Sequence, residues 1–129
     1  MRKMILILLL SLSLNAFENL KSLSQLKEHN LVFLTFEKNG CPWCIRYKNE
    51  LEPSITQRYK AYVKFFKVKK GSKIYSQLRK KFRLKILIYP MTYIIGLDEN
   101  KEPKILHEIY GYQTATYIDD FFKDEDLIK

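Results

Sequence analysis

This chain has few of the residues from which most catalytic and metal sites are built. Its 129 residues include two cysteines, two histidines and one tryptophan. His29 and His107 stand alone, without the paired spacing of a zinc ligand set, so even together with both cysteines they form no recognisable metal motif. Acidic residues are in deficit, with 14 Asp and Glu against 23 Lys and Arg and a formal charge of +9, which favours anionic partners or surfaces. No linker, repeat or low-complexity segment divides the sequence, so one domain with one core is expected, not two. The longest apolar run, residues 4–14, is broken by Ser11 and Ser13 and is too short to span a bilayer comfortably as a helix.

That run follows Arg2 and Lys3 and leads to Asn15-Ala16, the order of a secretory signal peptide. Residues 1–16 are therefore expected to be a signal peptide, and residues 17–129 a single exported, periplasmic domain with no transmembrane span after its removal. Leu14 stands where a small residue is preferred if cutting follows Ala16, so a different cleavage point or a retained N-terminus stays open, as does a buried first strand or helix. Positive charge concentrates at Lys67, Lys69, Lys70, Lys73, Arg79, Lys80, Lys81, Arg83 and Lys85. A nucleic-acid surface needs aromatic or base-reading context as well as charge. Tyr75 and Phe82 fit better as the apolar face of a helix, and the expectation is a solvated basic face with no nucleic-acid partner.

The most informative feature is Cys41-Pro42-Trp43-Cys44. Two cysteines three apart can close into a disulfide and reopen, and a sulfur exposed at a helix N-terminus is stabilised as thiolate by unpaired N–H groups and the helix dipole. Pro42 suits the first helical turn, where its missing N–H is no loss. Half a zinc site, a structural clamp and two unreactive thiols are the duller alternatives. The clamp is weak because the entropy gained by cross-linking falls as the closed loop shortens.

Along the chain, Leu20, Leu23 and Leu26 fall at helical spacing before a stop at His29-Asn30. Residues 31–37 (LVFLTFE) form a compact run rich in β-formers, hence a buried strand. Ile45, Tyr47, Leu51 and Ile55 support a helix kinked at Glu52-Pro53. Residues 63–68 predict a second strand, after which Ser72 caps a helix carrying Ile74, Leu78 and Phe82. Residues 91–97 and 105–110 predict a hairpin, and Thr114 caps a last helix through Tyr117, Ile118, Phe121 and Phe122. The order αβαβαββα implies an α/β fold with a mixed four-stranded sheet covered by helices on both faces. Strands linked by helices are expected to be parallel, with the closing hairpin adding an antiparallel edge.

These residues together resemble the thioredoxin superfamily over nearly all of residues 17–129. Residues 33–44 (FLTFEKNGCPWC) look like its strand, loop and active-site Cys-x-x-Cys. Pro53 resembles its helix kink, Tyr89-Pro90-Met91-Thr92 its cis-proline loop, and Gly111 the glycine before its final helix. The resemblance implies a thioredoxin-like fold and a thiol-disulfide oxidoreductase. In that activity Cys41 attacks and Cys44 resolves, Pro42 and Trp43 complete the motif, and Tyr89 and cis-Pro90 align the substrate backbone. It also implies no cofactor beyond the redox-active Cys41-Cys44 disulfide. Expected partners are protein thiols or disulfides and a recycling redox protein, with the chain itself a monomer.

Two departures qualify the resemblance. The buried acid six residues before the first cysteine is replaced by Thr35, which leaves Glu37 as the candidate proton acceptor. Pro-Trp differs from thioredoxin's Gly-Pro and is closer to glutaredoxins and periplasmic oxidants, while the short span from Cys44 to Pro90 excludes the helical insertion of the large oxidants. The expected function is reduction or exchange of disulfides in exported proteins. The alternative is a thioredoxin-fold peptide-binding module or chaperone with an incidental disulfide, and a small metal carrier is a remote third.

Overall fold

The computed structural model describes residues 17–127, so the expected signal peptide, residues 1–16, lies outside the described residues. The elements in chain order are β1 (Glu18–Asn19), a 3-10 helix (Leu23–Glu28), β2 (Leu31–Glu37), α1 (Pro42–Arg46), a π turn (Tyr47–Leu51), α2 (Glu52–Tyr59), β3 (Lys64–Lys69), α3 (Lys73–Phe82), β4 (Met91–Leu97), β5 (Pro103–Tyr110) and α4 (Ala115–Asp124).

One mixed sheet runs β1-β3-β2-β4-β5. β2 is central, and residues 32–36 are all buried, which is why it reads as a continuous apolar run with no alternation. Its side chains still divide by face. Val32, Leu34 and Phe36 join Phe66 and Val68 beneath Ile74, Tyr75 and Leu78 of α3. Phe33 faces the other way, among Phe17, Phe65, Ile55, Ile118 and Phe122. The helices therefore split between the faces, with α3 and the 3-10 helix on one side and α1, α2 and α4 on the other. Two of the helices start on capping side chains anticipated in the sequence. Ser72 Oγ accepts from Tyr75 N–H at 3.2 Å and Thr114 Oγ1 from Tyr117 N–H at 3.1 Å.

Several expectations need correction. The sheet has five strands, because Glu18 and Asn19 pair in parallel with Phe66 and Lys67 as a short edge strand that pattern alone cannot reveal. The segment around Leu23 and Leu26 is a 3-10 helix of six residues that stops at His29 in extended backbone. The irregularity in the long helix is the π turn before Pro53; Pro53 itself sits in the first turn of α2, where it is tolerated.

The larger correction concerns strand direction. β2 and β3 are parallel, but β4 is antiparallel to β2 although a helix links it to β3. The reason lies after that helix. α3 ends at Arg83 in the left-handed region, φ 54°. Its ten residues run back about 15 Å, and the stretch 83–90, when extended, reaches about 26 Å. That stretch returns the chain to the end of the sheet where β2 finishes, and β4 must then run backwards beside it.

Phe33 is fully buried and its ring meets those of Phe17, Phe65 and Phe122. Phe33→Ala should lower unfolding free energy by about 3–5 kcal/mol in a urea titration. A loss below about 1 kcal/mol would mean that this face is not a packed core.

Candidate active site

The chain leaves β2 at Glu37 and turns through Gly40, whose φ of +70° suits glycine. Cys41 is the N-cap of α1, with extended backbone (φ −101°, ψ 105°), and Pro42 follows at the first helical position. Capping is done by the sulfur itself, since Cys44 N–H donates to Cys41 Sγ at 3.1 Å. Cys41 and Cys44 form a disulfide with their Cα atoms 5.2 Å apart. The place of Cys41 at the helix start predicts an exposed sulfur. In the disulfide form both cysteines are nearly enclosed, at 4% and 5% exposure.

The cover over Cys41 comes from the stretch before β4. The Tyr89–Pro90 peptide bond is cis and Pro90 is buried. The carbonyl oxygen of Tyr89 lies 3.6 Å from Cys41 Sγ, a distance at which a thiol there would donate to it. Beside this contact Trp43, Ile88, Tyr89, Tyr110, Gly111 and Tyr112 line an open, largely apolar groove of about 320 Å³. Trp43 is 53% exposed and its ring lies 5.6 Å from that of Tyr112. The Arg46 guanidinium packs against both rings, 5.5 and 5.2 Å from their centroids. Glu50 accepts from Arg46 Nε and from Tyr112 Oη, both at 2.9 Å. The hydrogen bond from Arg46 holds the Glu50 carboxyl below its ordinary range. Sequence reasoning placed Trp43 and Tyr89 here but missed Ile88, Tyr110 and Tyr112, which reach the groove only through strand pairing and the turn at Gly111.

Beneath the site three buried hydroxyls meet. Thr35 Oγ1 lies 3.0 Å from Tyr47 Oη and 2.9 Å from Thr92 Oγ1. Burial pushes the Tyr47 phenol far up, so it stays neutral. The triad ties β2, β4 and the helix one turn beyond Cys44, and it takes the place of a buried acid at Thr35. Tyr47 read as an ordinary core aromatic; the need of a buried phenol for a partner was the only available signal.

Two carboxylates remain near. Glu37 lines a cavity of about 220 Å³ together with Cys44, Lys48 and Lys69. Glu52, which sequence reasoning treated only as part of a kink, is 4% exposed, with Lys67 Nζ 4.0 Å from its Oε1. Burial raises the Glu52 pKa, against the opposing pull of Lys67. His29 packs on Phe66 and His107 on Phe121, so neither histidine belongs to this site.

The raised Glu52 pKa makes stability depend on pH. An acid whose folded pKa lies above its unfolded value contributes most below the unfolded value, and that contribution is lost as pH rises through the folded one. Urea midpoints of the wild type should carry a component that falls as pH rises above the ordinary carboxyl value of 4.5, and Glu52→Gln should remove it. Identical pH slopes for the two proteins would show that Glu52 titrates as a solvated residue.

No family model matches the sequence, and no curated protein does. Solved structures do match its fold. Thioredoxin f2 of Chlamydomonas reinhardtii is 16% identical and aligns over 88% of this chain and 100% of its own, with a TM-score of 0.62. A thioredoxin from Trypanosoma brucei brucei is 21% identical over 86% and 95%, also at 0.62. A thioredoxin-like protein from Clostridium perfringens is 16% identical over 89% and 86%, at 0.65. The chain has the thioredoxin fold, an α/β architecture with a mixed five-stranded sheet, and carries a Cys-x-x-Cys disulfide at the start of the helix that follows its central strand.

Proposed function

We propose that this protein is a thiol-disulfide oxidoreductase that reduces or exchanges disulfides of exported proteins. The observation that carries this reading is the Cys41–Cys44 disulfide at a helix start, in contact with the Tyr89 carbonyl and beside an open groove. In the dithiol form the Cys41 thiolate attacks one sulfur of a substrate disulfide. That S–S bond breaks, a mixed disulfide forms, and the first substrate sulfur leaves as a thiolate that takes up a proton. Cys44, deprotonated, then attacks Cys41 Sγ and releases the second substrate sulfur. Two electrons pass from the dithiol to the substrate, and the Cys41–Cys44 bond is left oxidised; the reverse sequence oxidises a dithiol.

Local groups support each step. The Cys44 N–H that points at Cys41 Sγ favours a negative sulfur there. Glu37 shares a cavity with Cys44 large enough for water and can take its proton through one. The Trp43–Tyr112 wall and the Tyr89-Pro90 turn offer a substrate chain an apolar side and a backbone side. A recycling redox protein would restore the dithiol, and no further cofactor is required.

The near-complete enclosure of both sulfurs favours a second reading, a peptide-binding module in which the groove works and the disulfide does not. Single cysteine variants separate the two. Cys44→Ala should accumulate mixed disulfides with substrate proteins in non-reducing gels, and Cys41→Ala should trap about tenfold less or nothing. Equal trapping would remove Cys41 as the attacking group, and trapping by neither variant would favour the binding module.

Export rests on residues 1–16 alone. N-terminal sequencing of the protein from its host should give a start near Phe17, whereas an intact Met1 on a cytoplasmic species would overturn export.

A further inference from the structure

Between Glu52 and Asp98 the chain carries twelve of its 23 lysines and arginines and no acidic residue. This stretch builds α2 beyond its first residue, β3, α3, the connection that brings Tyr89 to Cys41, and β4. Three of its cations are matched within the fold: Arg58 by Asp119, Lys64 by Glu18 and Lys67 by Glu52. From Lys69 to Lys85 no basic side chain forms an ion pair with a described residue, and all are exposed. The acidic residues lie elsewhere, most of them from Asp98 onward. Charge is thus divided by region, and one face is left positive.

That face begins at the disulfide. Lys38 Nζ and Lys70 Nζ stand over the same Tyr89 ring, 5.3 and 5.6 Å from its centroid. Tyr89 Oη is 2.6 Å from Tyr75 Oη, and the Arg79 guanidinium lies 5.6 Å from the Tyr75 centroid. Two ammonium groups gathered on one ring repel each other and gain only modestly from its face. The nearest acid in sequence, Glu37, pairs with neither. On the other side of the disulfide Arg46 is already matched by Glu50. An anion arriving beside Cys41 therefore meets unmatched charge on the Tyr89 side and matched charge on the Arg46 side, while Lys48 and Lys69 stand with Glu37 at the cavity beside Cys44.

We propose that the protein's disulfide partner is an acidic one, whose Asp or Glu residues close to the reacting cystine dock on Lys38, Lys70 and Arg79 while an apolar side chain enters the Trp43–Tyr110–Tyr112 groove. The proposal rests on the oxidoreductase reading for its redox step but not for its binding step. Charge on this face steers encounter and fixes which strand of the partner meets Cys41.

The test separates the two steps. Two peptides of equal length carry the same central Phe-Ser-Gly, with Ser in place of cysteine, flanked in one by Asp and Glu and in the other by Ser and Asn. Binding to the oxidised protein is read from the fluorescence of Trp43, the single tryptophan. At low ionic strength the acidic peptide should bind about tenfold or more tightly than the neutral one, and the ratio should fall toward one in about 0.5 M salt. The ratio should also collapse in K38E/K70E and shrink in the milder K38Q/K70Q, both at exposed positions. Equal binding of the two peptides, an unchanged ratio in both variants, or uptake by phosphatidylglycerol vesicles with no discrimination between peptides would overturn the proposal. Cystine versions of the peptides give the turnover readout in parallel. Selective binding without turnover would support the docking surface and refute the oxidoreductase reading, whereas turnover without selectivity would do the opposite.

Discussion

The ladder between β2 and β4 stops with Phe36 opposite Met91, and the chemistry of the molecule depends on that stopping point. One residue before Met91 is Pro90, and a short loop beyond Phe36 is Cys41. Antiparallel pairing brings these two ends to the same edge of the sheet, so the Tyr89 carbonyl meets Cys41 Sγ although 48 residues separate them. A parallel β4 would put Pro90 at the opposite end of the sheet, away from the disulfide. Buried hydroxyls favour the register, because a slip of one residue would carry Thr92 to the other face and part it from Thr35.

The same ladder sets Thr35 against Thr92, and Tyr47 closes the group from the helix. Three hydroxyls satisfy one another at Thr35, the position of the acid that the thioredoxin resemblance implies. A hydroxyl group has both donor and acceptor capacity, so the triad needs neither water nor charge in a site with almost no solvent access. Negative charge is displaced instead to Glu52, on a different element, and Lys67 on β3 offsets part of the burial that raises its pKa. β3 and α2 thus pair the buried Glu52 with a partly buried Lys67, while the motif helix carries the sulfurs.

Much of this was legible in the residue pattern. The buried run 31–37, the glycine turn and Cys41-Pro42-Trp43-Cys44 follow one another in so few residues that local geometry links strand, loop and helix without help from the rest of the chain. Capping by Ser72 and Thr114 is equally local, because a side-chain oxygen needs to reach only three residues ahead. The β1 edge was not legible, since two residues carry no period, and neither was the π turn, which reflects how Tyr47 and Leu51 settle onto the sheet.

What the sequence by itself determined is the chemistry and its immediate frame: two sulfurs at closing distance, a proline that starts a helix, and a central strand too apolar to lie anywhere but inside. The tertiary structure alone decided the direction of β4, the enclosure of both sulfurs, the hydroxyl triad and the gathering of Lys38 and Lys70 on Tyr89. Each of these joins residues far apart in the chain. Such contacts depend on how long each connection is and where each ladder ends, quantities to which every segment contributes and which no single window of residues contains.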